Sequence, residues 1–379
     1  MRTRVSEMLG MEFPILAFSH CRDVVAAVSK AGGFGVLGAV AHTPEQLEVD
    51  LGWIEGQTGG RPYGVDLLLP AKYTGAEEGG LDREAVRQLL PATQQRFVED
   101  ILERYGVPPL PSDDRARPRM EGLRISPAGY GPLLDIAFAH RIGLIASALG
   151  APPPELIDRA HRADVRVAAL AGTVVHAQRH QAAGVDLIVA QGTEAGGHTG
   201  EIGTMVLVPD VVDAVTPTPV LAAGGIGSGR QIAAAMALGA EGVWCGSVWL
   251  TTEEAETQPA VKRKFLTATS RDTVRSRSLT GKPARMLRTA WTDEWDRPGA
   301  PPPLAMPLQS ALVAEAQVRI ARAANRAGSG GEQLANYFVG QVVGRMDRVR
   351  PARQVLLDMV NEYAEVLGRF AALAQDVPG

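Results

Sequence analysis

Between Pro14 and Cys245, short uninterrupted apolar runs alternate with stretches of helical periodicity, and the alternation recurs often enough to leave few folds open. The runs are Pro14–Phe18, Phe34–Gly38, Tyr63–Leu69, Gly143–Ser147, Arg166–Leu170, Asp186–Ala190, Pro219–Ala223 and Gly242–Cys245, eight in all. Most are apolar throughout rather than at every second position, as in parallel strands covered on both faces. Between them fall helical segments: Arg22–Ala31, Thr43–Gly56 opened by Thr43-Pro44, one near Gly131–His140, one after Pro152-Pro153-Pro154, Val174–Ala183, Pro209–Val215 and Arg230–Leu238. Eight such strands close a barrel, so a (β/α)8 TIM barrel is expected over residues 1–252. The competing open, doubly wound sheet would carry a glycine fingerprint after its first strand, where this chain has Ala17-Phe18-Ser19-His20.

The rhythm breaks at about residues 70–127, where Gly79-Gly80, a helix over Arg83–Tyr105 and the proline-rich Pro108–Arg119 suggest a surface insertion or lid. Beyond Leu250 the strands stop. Residues 253–379 read as a mainly helical cap, with helices over Glu253–Ala268, Leu308–Arg326, Glu332–Val343 and Arg353–Leu373. In the last, Val355, Leu356, Met359, Val360, Tyr363, Val366 and Leu367 form an apolar stripe that should pack back on the barrel.

A net charge of -4 gives no basic excess for nucleic acid. Two cysteines, Cys21 and Cys245, supply neither a disulfide framework nor a zinc set, so no metal site is expected and a reducing cytoplasm fits. No secretory signal and no apolar run of membrane-spanning length is evident, which argues against a membrane partner.

The chemistry of a barrel gathers at the C-terminal ends of its strands, and the loops after the last two commonly cradle phosphate. Here the seventh run ends in Ala223-Gly224-Gly225-Ile226-Gly227-Ser228-Gly229 before a helix, and the eighth in Cys245-Gly246-Ser247. Either turn alone could be only a tight connection. Two at consecutive strand ends point to a phosphate-bearing ligand, with the following helix adding the positive end of its dipole. The sixth run leads into Gln191-Gly192-Thr193-Glu194-Ala195-Gly196-Gly197-His198-Thr199-Gly200. Of seven histidines, His198 alone lies in a glycine-rich strand-end loop, where an imidazole can face a ligand and exchange protons near neutrality. His20, after the first strand, is a weaker candidate, and His140, His161, His176 and His180 fall on helices.

Gln191–Gly200, Ala222-Ala223-Gly224-Gly225-Ile226, Ala27–Gly35 and Ser278–Arg285 together resemble the nitronate monooxygenase family, formerly called 2-nitropropane dioxygenases, and the resemblance spans essentially the whole chain. It implies a barrel with a helical cap that binds FMN without covalent attachment. It further implies oxidation of alkyl nitronates, small molecules, with O2 through a flavin semiquinone. Carried over residue by residue, Gly224, Gly225, Gly246 and Ser247 would hold the FMN phosphate. Gln191 would contact the isoalloxazine, Ala17 and Phe18 would lie beside it, and Gly196, Gly197 and Ala223 would complete its surroundings. His198 would face the substrate as base or as hydrogen-bond donor to the nitronate oxygens. A homodimer stays open.

Two features depart from the family. The first strand lacks the usual Gln-Ala-Pro-Met run, and Asp66 stands where the third strand usually bears asparagine. A carboxylate there would oppose an anionic reduced flavin unless a cation or a raised pKa offsets it; alternatively Asp66 only fixes loop amides. Lys72, Tyr73 and Arg83 of the insertion would cap a larger substrate or form a solvated face. The nearest rival function is an NAD(P)H-dependent FMN reductase of quinones or enoyl thioesters, since flavin-type enoyl reductases share the Glu-x-Gly-Gly-His loop. An inosine monophosphate dehydrogenase-like barrel would need a nucleophilic cysteine after its phosphate loop, whereas Cys245 precedes it. A non-catalytic flavin scaffold is the reading from another class.

Overall fold

The computed structural model describes residues 1–70, 72–77, 79–111 and 125–375. The eight apolar runs form the parallel strands β1 (Ile15–Ser19), β2 (Phe34–Gly38), β3 (Tyr63–Leu68), β4 (Leu144–Ala148), β5 (Arg166–Ala171), β6 (Leu187–Gln191), β8 (Val220–Ala223) and β9 (Gly242–Cys245). They close into a barrel in the order β1-β2-β3-β4-β5-β6-β8-β9, sealed by Ala17 opposite Cys245. This is a (β/α)8 TIM barrel.

Strand alternation sorts its side chains into two layers. Leu16, Phe34, Val36, Leu144, Leu187, Val189, Leu221 and Trp244 fill the interior, where Val5, Leu9 and Met11 join them from the N-terminal segment. Ile15, Ala17, Leu37, Val65, Leu67, Ile188 and Val243 face outward against the helices. The Thr43 side chain accepts a hydrogen bond from Gln46 N and starts the Pro44–Thr58 helix as the Thr-Pro pair requires.

The rest of the chain departs from its sequence pattern in four places. The helix expected over Arg83–Tyr105 is two, Arg83–Gln88 and Ala92–Arg104, because Pro91 cannot continue the first. That over Glu253–Ala268 shrinks to Pro259–Phe265, with proline at its first position. Glu332–Val343 divides into a short helix, Gly330–Leu334, and a 3-10 turn, Gln341–Arg345. Strands do not stop at Leu250: β10 (Thr273–Ser276) and β11 (Ala284–Leu287) pair antiparallel, and β11 also pairs with β7 (Gly197–His198).

A second apolar core joins Trp291, Trp295, Leu312, Val313, Ile320, Val339 and Val343 to Phe97, Val98, Ile101 and Leu102. The insertion expected on the surface therefore lends the buried face of its Ala92–Arg104 helix to the cap, and Arg319 reinforces the join by bonding Glu99 and the Val107 and Pro108 carbonyls. Residues 112–124 of that insertion, including much of its proline-rich stretch, lie outside the described residues. The final helix, Ala352–Gln375, places Val355, Leu356 and Met359 in the outer barrel layer. Among the described residues no helix is long and apolar enough to cross a membrane.

Candidate active site

At the C-terminal rim of the barrel a cavity of about 1080 Å³ opens beneath the cap, at the upper end of the range for small-molecule sites. Phe18, Asp66, Gln191, Gly196, Gly197, His198, Ala223, Gly224, Gly225, Gly246 and Ser247 all line it. Ala17 does not: alternation turns its fully buried side chain outward into the helix layer, while Phe18 faces in and stacks against Trp244 at 6.2 Å.

The glycines at this rim have distinct steric reasons. Gly224 has φ +102°, and a Cβ there would lie 2.8 Å from Thr204 Oγ1 and 2.9 Å from the Gly192 carbonyl. Gly225 has φ +70°, with its nearest neighbour the Glu194 side chain at 3.2 Å. Only glycine adopts such a pair of conformations freely beside that much backbone. A Cβ at Gly246, by contrast, would meet only the Phe18 ring at 3.8 Å, so its backbone is open on the cavity side. The expected dipole contribution of the Gly229–Ala237 helix is redirected. Glu362, from the final helix, accepts hydrogen bonds from Gly229 N at 2.7 Å and Arg230 N and pairs with the Arg230 guanidinium. A carboxylate of this chain already sits on that helix start, so its dipole is met internally.

The loop carrying His198 is fastened by non-local bonds. Glu194 accepts from Thr204 N and Oγ1, the Thr193 carbonyl accepts from buried Arg285 Nε at 2.8 Å, and the Glu194 carbonyl accepts from Gln341 N. His198 pairs directly with Ala284 of β11, and its Nδ1 lies 3.2 Å from the Pro283 carbonyl. A carbonyl only accepts, so Nδ1 carries the proton and Nε2 is the lone-pair atom. Burial, reinforced by the Lys282 charge and opposed by the Pro283 bond, pushes the His198 pKa down to about 4. Its imidazole is neutral at physiological pH.

His20 repeats the arrangement on the other side of the rim. Its Nδ1 is 2.9 Å from the Gly38 carbonyl, its ring is open to the cavity, and burial lowers its pKa. Gly38 makes the room: a Cβ there would fall 2.7 Å from the His20 ring. Beside Gly38 in the sheet, Asp66 lines the cavity with its side chain unbonded to any described group, and burial drives its pKa well above the usual carboxylate value. Burial thus favours the protonated carboxyl, which eases the charge conflict its aspartate identity raised, and no described loop amide is held by it.

Cap residues that sequence reasoning passed over complete the wall: Lys282, Pro283, Asn336, Tyr337 and Phe338, with Phe338 6.4 Å from the His198 ring. Lys282 and Pro283 lay within a stretch that resembled the family, yet nothing local marked them as cavity-facing. Lys72 and Tyr73 do not line the cavity; Tyr73 packs instead near Val40, Ile125 and Met306, and the Arg83 side chain lies outside the described ones. Cys21, Asp23 and Glu256 approach within 4.8 Å of one another, but the Cys21 thiol donates to the Glu254 carbonyl and burial raises its pKa, so it stays protonated.

A family model described as nitronate monooxygenase matches residues 2–362. The chain belongs to the nitronate monooxygenase family. It is accordingly a flavoprotein oxidoreductase. Over 375 residues it is 70% identical to a Mycobacterium tuberculosis protein, Rv1533, whose monooxygenase name is provisional; the match covers 99% of this chain and 100% of that one. The solved nitroalkane oxidase from Streptomyces ansochromogenes is 29% identical with a TM-score of 0.79, covering 97% of this chain and 99% of its own. FabK from Thermotoga maritima is 27% identical with a TM-score of 0.71, covering 98% and 99%. In this member of the nitronate monooxygenase family the cavity lies where the barrel rim meets the helical segments beyond it.

Proposed function

We propose that this protein oxidises alkyl nitronates with O2, using FMN bound at the barrel rim. The observation that carries the reading is the locked His198 tautomer, which presents a neutral Nε2 lone pair in the rim cavity beside an open glycine cradle. The residues fit FMN. Gly224, Gly225, Gly246 and Ser247 would take its phosphate, Gln191 and Phe18 would border the isoalloxazine, and Asp66, whose burial favours the protonated acid, would offer an O–H to a ring acceptor. FMN when bound supplies the electron acceptor.

The protein's own part is positional. With Nδ1–H committed to Pro283, His198 suits the role of base rather than donor to nitronate oxygens; a nitronate has no acidic C–H left, so the base acts on the parent nitroalkane, whose α-proton passes to Nε2 and leaves the nitronate in place. Apolar cap side chains, Val261, Ile320 and Ala335 among them, keep bulk water from the reacting centre.

The likeness to FabK and the size of the cavity favour one second reading, an NAD(P)H-dependent reductase on the same frame. Oxygen uptake by the FMN-loaded protein separates the two. Uptake with propyl-2-nitronate and none with NADH or NADPH supports the proposal. Rapid flavin bleaching by either nicotinamide, with no response to nitronate, overturns it in favour of the reductase.

A further inference from the structure

A nitronate is an anion whose two oxygens only accept hydrogen bonds, yet His198 and His20 each present a lone pair to the cavity and Asp66 carries no counter-charge. The charge of such a substrate must be met elsewhere. Two cations line the cavity without an ion pair or side-chain hydrogen bond to any described residue, Lys282 and Arg179. Arg179 is exposed, on the outer part of the Val174–Ala183 helix. Lys282 is half-buried, two residues before Ala284, the cross-strand partner of His198, and next to Pro283, whose carbonyl orients that imidazole.

The backbone around Lys282 is fixed although its side chain is not. Thr280 Oγ1 donates to the Lys282 carbonyl, and the Gly281 turn has φ +82° with a Cβ position only 2.1 Å from the Leu304 carbonyl. An ammonium carried on so fixed a backbone, lining one cavity with His198 and close enough for its charge to act on that imidazole, partly desolvated and unpaired among the described residues, is a poised anion site: it gains a charge-assisted bond on ligand arrival and loses none of its own.

We propose that Lys282 is the residue that binds the anionic head of the substrate, so that this cavity selects small organic anions, nitronates and their carboxylate isosteres, over neutral molecules of the same shape. The inference rests on the proposed nitronate chemistry for the identity of the anion but not for its binding. Burial lowers the Lys282 pKa, and its charge in turn depresses that of His198. An anion seated between them therefore stabilises the ammonium and, by cancelling its field, makes the imidazole a stronger base when substrate is present.

The test is titration of the FMN-loaded protein with propionate and with neutral propionamide, followed as a perturbation of the visible flavin spectrum, in wild type, Lys282→Met, Lys282→Arg and Arg179→Met. The expected result is propionate binding weakened about 10- to 100-fold in Lys282→Met, the size of one charge-assisted hydrogen bond. Lys282→Arg should restore most of it, Arg179→Met should change it by less than about 3-fold, and propionamide should bind equally weakly in all four. In steady state Lys282→Met should raise KM for nitronate far more than it lowers kcat. Unaltered propionate affinity in Lys282→Met overturns the inference, as does a loss of FMN retention in Lys282→Met and Lys282→Arg alike, which would make the lysine a cofactor ligand. If wild type oxidises no nitronate but binds propionate through Lys282, the nitronate reading fails and the anion site stands.

Discussion

The two sides of the cavity are built by different means. The cradle side consists of strand-end turns, Gly224-Gly225 and Gly246-Ser247, whose shape follows from a few consecutive residues. The His198 side consists of a two-residue strand that exists because β11, more than 80 residues later in the chain, pairs with it, and the residue just before β11 supplies the Pro283 carbonyl. One wall is local and the other is long-range. A local wall should fail through backbone strain and loss of cofactor, and a long-range wall through misplaced chemistry with the cofactor still bound.

The largest effect expected is at the long-range wall. His198→Ala should lower turnover of the parent nitroalkane, whose α-proton Nε2 takes, by about 10²- to 10⁴-fold, the usual contribution of a general base, while the visible spectrum of bound FMN persists. Loss of flavin with loss of activity would erase the distinction between the walls. Next is Gly224→Ala, whose positive φ and close Gly192 carbonyl should cost more than about 1 kcal/mol. Thermal melting and the flavin-to-protein ratio should both fall, with turnover per bound flavin nearly unchanged.

Two pH effects sharpen the comparison. Because the His198 pKa lies at about 4, kcat/KM should stay flat from neutral pH down to about pH 5 and fall only as the imidazole protonates below that. An acid limb centred near 6.5 would mean that His198 is not enclosed as described. The smallest effect concerns Asp66. Its carboxyl keeps its proton in the fold at pH values where the unfolded chain has released it, so wild-type stability declines as pH rises above the usual carboxylate value. Asp66→Asn removes that decline. The melting temperature of the variant should therefore gain on wild type with rising pH, and a constant difference across pH 4 to 7 would contradict a neutral buried acid.

The same division explains what could be read in the sequence. The eight barrel strands were legible because continuous apolar runs report burial on both faces, and the glycine turns because positive φ restricts residue choice. The two-residue strand was not legible, because Gly197-His198 has no strand propensity of its own and β10 and β11 are only four residues long, each interrupted by an arginine. Nor was the redirected helix start, since Glu362 meets Gly229 only after the last helix docks. His198 itself stood out from its glycine setting. Its tautomer, its depressed pKa and its neighbour Lys282 are properties of the pairing.

The central claim is that a cap-borne strand aims His198 at a flavin held by the barrel. Anaerobic visible spectra of FMN-loaded wild type and His198→Ala, before and after a small neutral nitroalkane is added, test it most directly. The account predicts prompt reduction in wild type and little in the variant, with equal starting flavin bands. Unchanged bands in wild type, or reduction at the same rate in both proteins, would contradict it.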